Sequence, residues 1–217
     1  MIAVVDYGAA NLLSITRALE TCGASVVVTD DADVIRGARA LVLPGVGAAG
    51  SALRNMRAKG TDRAIIDKAW AGAPLLGVCL GMQVLFESLA EDDATGLGLL
   101  AGSVPVLRGA PKLPHMGWNT LEWESGSAQP LLSGLASGSY VYFVHSFVCE
   151  PADTSLTFAT TTYGRRLCAG VCARNLTGVQ FHPEKSGATG LRMLRNWLAT
   201  FQSGAPASET EAAPWHG

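Results

Sequence analysis

Short apolar runs alternate with helically spaced apolar positions through the first half of the chain. Ile2-Ala3-Val4-Val5 is continuous and apolar, as expected of a strand covered on both faces. Asp6-Tyr7-Gly8 ends it. Asn11 is then placed to cap a helix in which Leu12, Ile15, Ala18 and Leu19 recur along one face. Gly23 closes that helix, Ser25 to Val28 predicts a second strand, and Ala40 to Leu43 a third, stopped by Pro44-Gly45-Val46-Gly47. Helical patterns cover about 49–58 and 62–71, and Leu75 to Val78 forms another apolar run. Strand alternating with helix from the first residue predicts an α/β fold with a largely parallel sheet wrapped by helices.

Beyond Gly96 the texture changes. β-rich runs near 104–107, 119–123, 140–148, 156–162, 167–173 and 177–181 are separated by Gly, Pro, Ser and Asp. They predict additional, partly antiparallel strands on the same core, because no linker divides the halves. A last helix over about 187–201 carries Leu191, Leu194, Trp197, Leu198 and Phe201 on one side and is expected to pack against the sheet. Residues 1–201 thus read as one domain. Residues 202–217, rich in Ser, Ala, Pro and Glu, read as a disordered tail.

Composition narrows the function more by exclusion than by indication. Of 217 residues, 48% are hydrophobic and 16% charged, and the formal net charge is −2. That balance makes no electrostatic case for nucleic acid or an anionic membrane as partner. Five scattered cysteines (Cys22, Cys79, Cys149, Cys168, Cys172) form no secreted disulfide framework, and Cys168 with Cys172 has no second ligand pair to make a zinc site. No metal or other cofactor is expected. The start Met1-Ile2-Ala3-Val4-Val5-Asp6 reads as a core strand rather than a signal peptide, and no apolar run reaches membrane-spanning length. A reducing cytoplasm is the expected setting.

The chemistry concentrates in Leu75-Leu76-Gly77-Val78-Cys79-Leu80-Gly81-Met82-Gln83. A strand running into a helix through a sharp turn lifts its middle residue to the carboxyl edge of the sheet, and flanking glycines relieve the crowding. Taken alone, Cys79 reads equally as a packed thiol or as a nucleophile. Its partners decide. Roughly 100 residues later, Gln180-Phe181-His182-Pro183-Glu184-Lys185-Ser186 supplies a His and a Glu two positions apart. In extended backbone both project to one side, so Glu184 can hold the imidazole of His182. A nucleophile needs a base, and the base works best when a third group fixes its tautomer; Cys79, His182 and Glu184 fill those roles. His115 and His145 rank lower as bases, since neither has an acid two residues later. The flexible Gly45-Val46-Gly47 backbone, at another strand end, is placed to aim an N–H at a developing oxyanion.

With these residues together, the chain resembles a class I (triad) glutamine amidotransferase. Within that group, Asp6-Tyr7-Gly8 followed by Asn11, Pro44-Gly45-Val46-Gly47, Pro114-His115-Met116-Gly117-Trp118-Asn119, Tyr142-Phe143-Val144-His145-Ser146-Phe147 and His182-Pro183-Glu184-Lys185-Ser186 resemble the glutaminase subunits of imidazole glycerol phosphate synthases. The resemblance covers about residues 1–201. It implies a single flavodoxin-like domain that hydrolyses L-glutamine to glutamate and ammonia. It also implies a heterodimer with a (β/α)8-barrel cyclase, which uses the ammonia to make imidazole glycerol phosphate and an aminoimidazole carboxamide ribotide in histidine biosynthesis. By position, Cys79 attacks the amide carbon, His182 shuttles the proton and Glu184 orients it, while Gln83 and the backbone near Ser146 and Phe147 hold glutamine. Gly45, Val46 and Gly47 form the oxyanion hole. Asn11, Met116, Trp118, Tyr142 and Lys185 lie toward the cyclase around the ammonia exit.

One departure stands out. Where the family commonly has a bulky aromatic soon after Pro-Gly-Val-Gly, this chain has Ala48-Ala49-Gly50-Ser51, which leaves the packing beside the oxyanion loop open. Amidotransferases serving anthranilate, p-aminobenzoate or carbamoyl phosphate synthesis commonly carry Pro-Gly-Pro-Gly and a histidine after the second elbow glycine. Val46 and Met82 stand at those places here. A non-enzymatic scaffold with the same fold would have no reason to keep all three triad roles.

Overall fold

The run Ile2–Val5 is the first strand, β1, of the computed structural model, which describes residues 1–8, 11–124, 127 and 129–202. In chain order there follow α1 (Leu12–Thr21), β2 (Val26–Thr29), α2 (Ala32–Gly37), β3 (Ala40–Leu43), α3 (Ala49–Lys59), α4 (Thr61–Trp70), β4 (Leu75–Val78) and α5 (Leu80–Gln83). The second half holds β5 (Phe86–Leu89), β6 (Ala94–Thr95), β7 (Leu100–Val104), β8 (His115–Leu121) and β9 (Ser139–His145). It continues through β10 (Glu150–Pro151), β11 (Thr157–Tyr163), β12 (Arg165–Ala173) and β13 (Leu176–Val179) to α6 (Gly187–Gln202).

Among the described residues the main sheet runs β11-β12-β13-β4-β3-β1-β2. The five strands from β13 to β2 are parallel, and β12 and β11 extend the β13 side antiparallel. Strands β1, β3 and β4 are buried at every position, which is why each reads as an unbroken apolar run. Alternation along them splits the core into two layers. Ala3, Val5, Leu41 and Leu43 pack with Ile35 of α2, Leu53 and Met56 of α3, and Ile65 of α4. Ile2, Val4, Ala40 and Val42 face the other way, against Ile15 and Leu19 of α1 and Met193, Leu194 and Trp197 of α6.

Several local expectations are corrected. Asn11 does not cap α1 with its side chain; it sits in the left-handed region at φ 73° and makes no cap bond. A short α2, not anticipated, starts where the Asp31 carboxylate accepts the N–H groups of Asp33 and Val34. The helix after Cys79 lasts a single turn before β5, which joins a separate sheet in the order β10-β7-β5-β6. The run near 104–107 is the end of β7 plus a lone bridge from Val106 to Phe147, and the strand expected at 119–123 begins earlier, at His115. Strands β8 and β9 form their own antiparallel pair, with Trp118 opposite Tyr142 and His115 opposite His145. A bridge from Glu122 to Thr160 and a bond from Asn119 Nδ2 to the Thr162 carbonyl (3.0 Å) tie this hairpin to β11. The tail expected over 202–217 lies, from residue 203 onward, outside the described residues.

The neighbouring strands β3, β4 and β13 lead at their carboxyl ends into Pro44–Gly47, Cys79 and the segment ending at His182. This is the sheet edge where ligands of open α/β folds gather.

Candidate active site

Cys79 stands between β4 and α5 with φ 50° and ψ −105°, a backbone conformation that costs a non-glycine residue about 1–3 kcal/mol. The surrounding contacts hold it there. Its N–H donates to the Val179 carbonyl at 2.7 Å, prolonging the β4–β13 pairing into the turn. Two glycines allow the backbone to close around it: a Cβ on Gly81 would lie 1.9 Å from the Leu43 oxygen, and one on Gly45 1.8 Å from the Val78 oxygen. The Pro44–Gly47 loop therefore rests directly on the cysteine turn. At its start, the buried Tyr7 hydroxyl donates to the Pro44 carbonyl. Burial first, then the nearness of Cys79 and Asp6, pushes the Tyr7 phenol far up, so it stays a neutral donor.

The structure brings His182 and Glu184 together as the spacing predicts. His182 Nδ1 lies 2.8 Å from Glu184 Oε1, with the two side chains 1% and 2% exposed. The His182 backbone N–H donates to the Tyr142 carbonyl at 2.9 Å, fixing this segment against β9. Glu184 Oε1 also accepts from Asn11 Nδ2 at 2.9 Å. With Nδ1–H on the carboxylate, Nε2 is left to exchange a proton, and it has no partner among the described residues. Burial disfavours the imidazolium, but Cys79 and Glu184 favour it and prevail, raising His182 to about 10.

Cys79 Sγ, 6% exposed, makes its donor contact with the Val144 carbonyl at 3.7 Å. His182 Nε2 makes no hydrogen bond of normal geometry to it, yet the sulfur lies near enough to favour the imidazolium. Gln180, passed over in the sequence, is fully buried and places Nε2 3.5 Å from Sγ. Its signal was a lone carboxamide between Val179 and Phe181 in an otherwise apolar run. Gln83 Nε2 reaches Gln180 Oε1 at 3.2 Å and the Phe147 carbonyl at 3.4 Å. The Ser146 carbonyl accepts the Leu107 N–H at 2.8 Å, so the backbone of 146–147 is held beside Gln83.

Met116 and Trp118 are 61% and 56% exposed on the outer face of the β8–β9 hairpin. Trp118 meets Tyr142 edge-on at 6.1 Å, and Lys185 Nζ lies 5.8 Å above the Tyr142 ring. Asn11, grouped with these residues by the resemblance, has its side-chain amide committed to Glu184. Beside the loop, two acidic side chains meet the start of α3, and one of them explains Gly50. Glu91 accepts the Ala49 N–H at 2.8 Å, and the Asp92 side chain fills the space a Cβ on Gly50 would need. Acidic groups there also suit the positive end of α3. Among the described residues no group of three or more His, Cys, Asp or Glu is arranged to hold a metal ion, and no helix is long and apolar enough to cross a membrane.

A buried thiol on a strained turn, a carboxylate-held imidazole and a glycine loop touching the thiol turn are the parts of thiol-dependent acyl transfer. Comparison with known proteins agrees with that chemistry. The family model described as "Glutamine amidotransferase class-I" matches residues 3–201. A protein of Dehalococcoides mccartyi (strain CBDB1) named imidazole glycerol phosphate synthase subunit HisH is 45% identical over 199 residues, covering 91% of this chain and 96% of that protein. A protein of the same name from Oceanobacillus iheyensis is 43% identical over 198 residues, covering 91% and 98%. Among solved structures, one titled as a glutamine amidotransferase superposes with a TM-score of 0.73 at 19% identity over 92% of this chain and 98% of its own. The PurLQS structure from Thermotoga maritima gives 0.70 at 23% identity, over 92% and 97%; at such identities the two speak for the fold alone.

Proposed function

This chain belongs to the class I glutamine amidotransferase family, and we propose that it is the glutamine-hydrolysing subunit of an imidazole glycerol phosphate synthase in histidine biosynthesis. The observation that carries the mechanism is the buried Glu184–His182 pair at the strand end beside the Cys79 turn.

The thiol proton passes to His182 Nε2, which, against burial, the sulfur and Glu184 hold as imidazolium at neutral pH, and the thiolate sulfur forms a bond to the side-chain amide carbon of L-glutamine. The carbonyl electrons move onto oxygen, which the backbone N–H groups of Gly45–Gly47 stabilise; each such donor is worth roughly 3 kcal/mol of barrier. The electrons return, the C–N bond breaks, and the leaving nitrogen takes the proton from His182 and departs as ammonia. Water then gives a proton to His182 and its oxygen to the γ-glutamyl thioester. The C–S bond breaks, sulfur is released as the thiolate beside the imidazolium, and glutamate leaves. Gln83 and the backbone near Ser146 and Phe147 hold the glutamine.

The ammonia goes to a (β/α)8-barrel cyclase seated against the face that carries Met116, Trp118, Tyr142 and Lys185, with Asn11 at the margin between that face and the triad. Aromatic and methionine side chains are favoured in protein interfaces, and an apolar passage keeps ammonia unprotonated. The test is reconstitution with the cyclase. Glutamate release from glutamine should be slow for the isolated chain and rise strongly with the cyclase and its nucleotide ligand. Cys79→Ala should abolish glutamine use while the complex still makes product from added ammonium. Full activity of the chain alone, or loss of both activities in Cys79→Ala, would overturn the division of labour.

A further inference from the structure

The Phe147 carbonyl fixes the direction of a longer chain of buried polar groups. An amide oxygen only accepts, so both groups that reach it donate: His145 Nδ1–H at 2.7 Å and Gln83 Nε2–H at 3.4 Å. On one side, neutral His145 is left with Nε2 as an acceptor. It takes the Nδ1–H of His115 at 2.9 Å, and His115 Nε2 accepts from Asn119 Nδ2 at 3.2 Å. Both imidazoles are buried, and burial pushes each down to about 4, so they stay neutral near pH 7. On the other side, the nitrogen of Gln83 faces Phe147 and its second N–H reaches the oxygen of Gln180 at 3.2 Å. The remaining end of the Gln180 carboxamide, its NH2, is therefore the end aimed at Cys79 Sγ, 3.5 Å away.

We propose that Gln180 is a further catalytic residue: its N–H stabilises the Cys79 thiolate, and Gln83 on the Phe147 carbonyl locks the carboxamide in the donating orientation. The Val144 carbonyl, 3.7 Å from sulfur, suits the thiol and opposes the thiolate. Gln180 does the reverse, and being fully buried and already oriented it needs no rearrangement when the charge forms. This inference rests on Cys79 being the nucleophile.

Two variants separate donation from packing. Gln180→Met keeps length and bulk without a donor. Gln180→Glu keeps the oxygen that Gln83 needs and puts an acceptor where sulfur now meets an N–H. Three quantities are measured: the alkylation rate of Cys79 by iodoacetamide from pH 6 to 9, with Cys79→Ala as blank; kcat and KM for glutamine in the complex with the cyclase; and, as the fold control, the melting temperature and co-elution with the cyclase. Loss of a hydrogen bond to a charged group predicts alkylation at pH 7 and kcat both lower by about tenfold to a hundredfold, KM within about threefold, and a larger effect for Gln180→Glu. Rates within about twofold of wild type in a folded Gln180→Met protein would overturn the proposal. If that variant melts early or fails to co-elute, Gln180→Glu decides by the same comparison. A wild-type complex that hydrolyses no glutamine would instead remove the underlying reading, and this inference with it.

Discussion

At the scale of single residues, Glu184 Oε1 does double duty in the site. It accepts from His182 Nδ1 and from Asn11 Nδ2, while Oε2 has no partner among the described residues. Asn11 thus ties the head of α1 to Glu184, a contact its place in the sequence does not reveal. Removing one of two donors costs about 1 kcal/mol or somewhat more. Asn11→Ala is therefore expected to lower kcat for glutamine about tenfold with KM within about threefold, read from steady-state glutamate release. Glu184→Gln, which replaces the carboxylate that holds the imidazole, should cost at least about a hundredfold.

The histidines also set a pH dependence, with opposite signs. His182 is raised to about 10 from an unfolded value near 6.5, so its pairing stabilises fully below pH 6.5 and is lost as pH rises through 10. His115 and His145 are lowered to about 4, so their contribution is present above pH 6.5 and lost as pH falls through 4. The acid limb belongs to the pair, and beyond burial the charges of His115 and His182 push His145 further down. Calorimetry from pH 7 to 4 should show a falling melting temperature, with a shallower fall in His145→Asn.

At the scale of elements, the decisive contact is between the Pro44–Gly47 loop and the turn at Cys79. A Cβ on Gly45 would stand 1.8 Å from the Val78 oxygen and 2.8 Å from Cys79 Cβ, so Gly45→Ala must push the loop off the turn. If Gly45–Gly47 supply the oxyanion donors as proposed, displacing them costs about a hundredfold to a thousandfold, so glutamine turnover should fall by that much while co-elution with the cyclase persists. The elements that build this region were legible because the parallel strands β1, β3 and β4 are wholly buried and read as plain apolar runs. Gly77, Gly81 and Pro44–Gly47 marked their ends. The β8–β9 hairpin was less legible. Its first residues, His115-Met116-Gly117-Trp118-Asn119, alternate a buried imidazole with exposed apolar side chains, the inverse of the usual rule, so the strand was placed four residues late. Gln180 escaped for a related reason: a buried carboxamide is recognised by what it bonds to across the sheet, and those partners are 97 and 101 positions away.

At the scale of the whole molecule, the site is divided between an interior, where Cys79 and His182 are nearly sealed, and a surface, where Met116 and Trp118 stand open. A single hairpin serves both. The inner side of β8–β9 holds His115 and His145, and its outer side holds the aromatic ladder with Lys185. If that outer side seats the cyclase, Trp118→Ala should weaken the complex about tenfold or more by titration calorimetry, consistent with buried aromatic anchors in other interfaces. The isolated chain's slow glutamine hydrolysis should not change. An equal loss of both would mean that the hairpin had collapsed inward. The hydrogen-bonded column behind that hairpin has one more consequence. It runs Asn119, His115, His145 and stops at the Phe147 carbonyl, an end that has no proton to pass on. Both imidazoles lie in a line, yet they form no conducting path. A proton entering at one end has no exit at the other, and shifting both tautomers would reverse the bond between the rings while breaking the bonds to Asn119 and Phe147. On the proposed mechanism proton traffic is confined to His182, and two imidazoles within the same small region stay neutral while the third gives up a proton and regains it in each turnover.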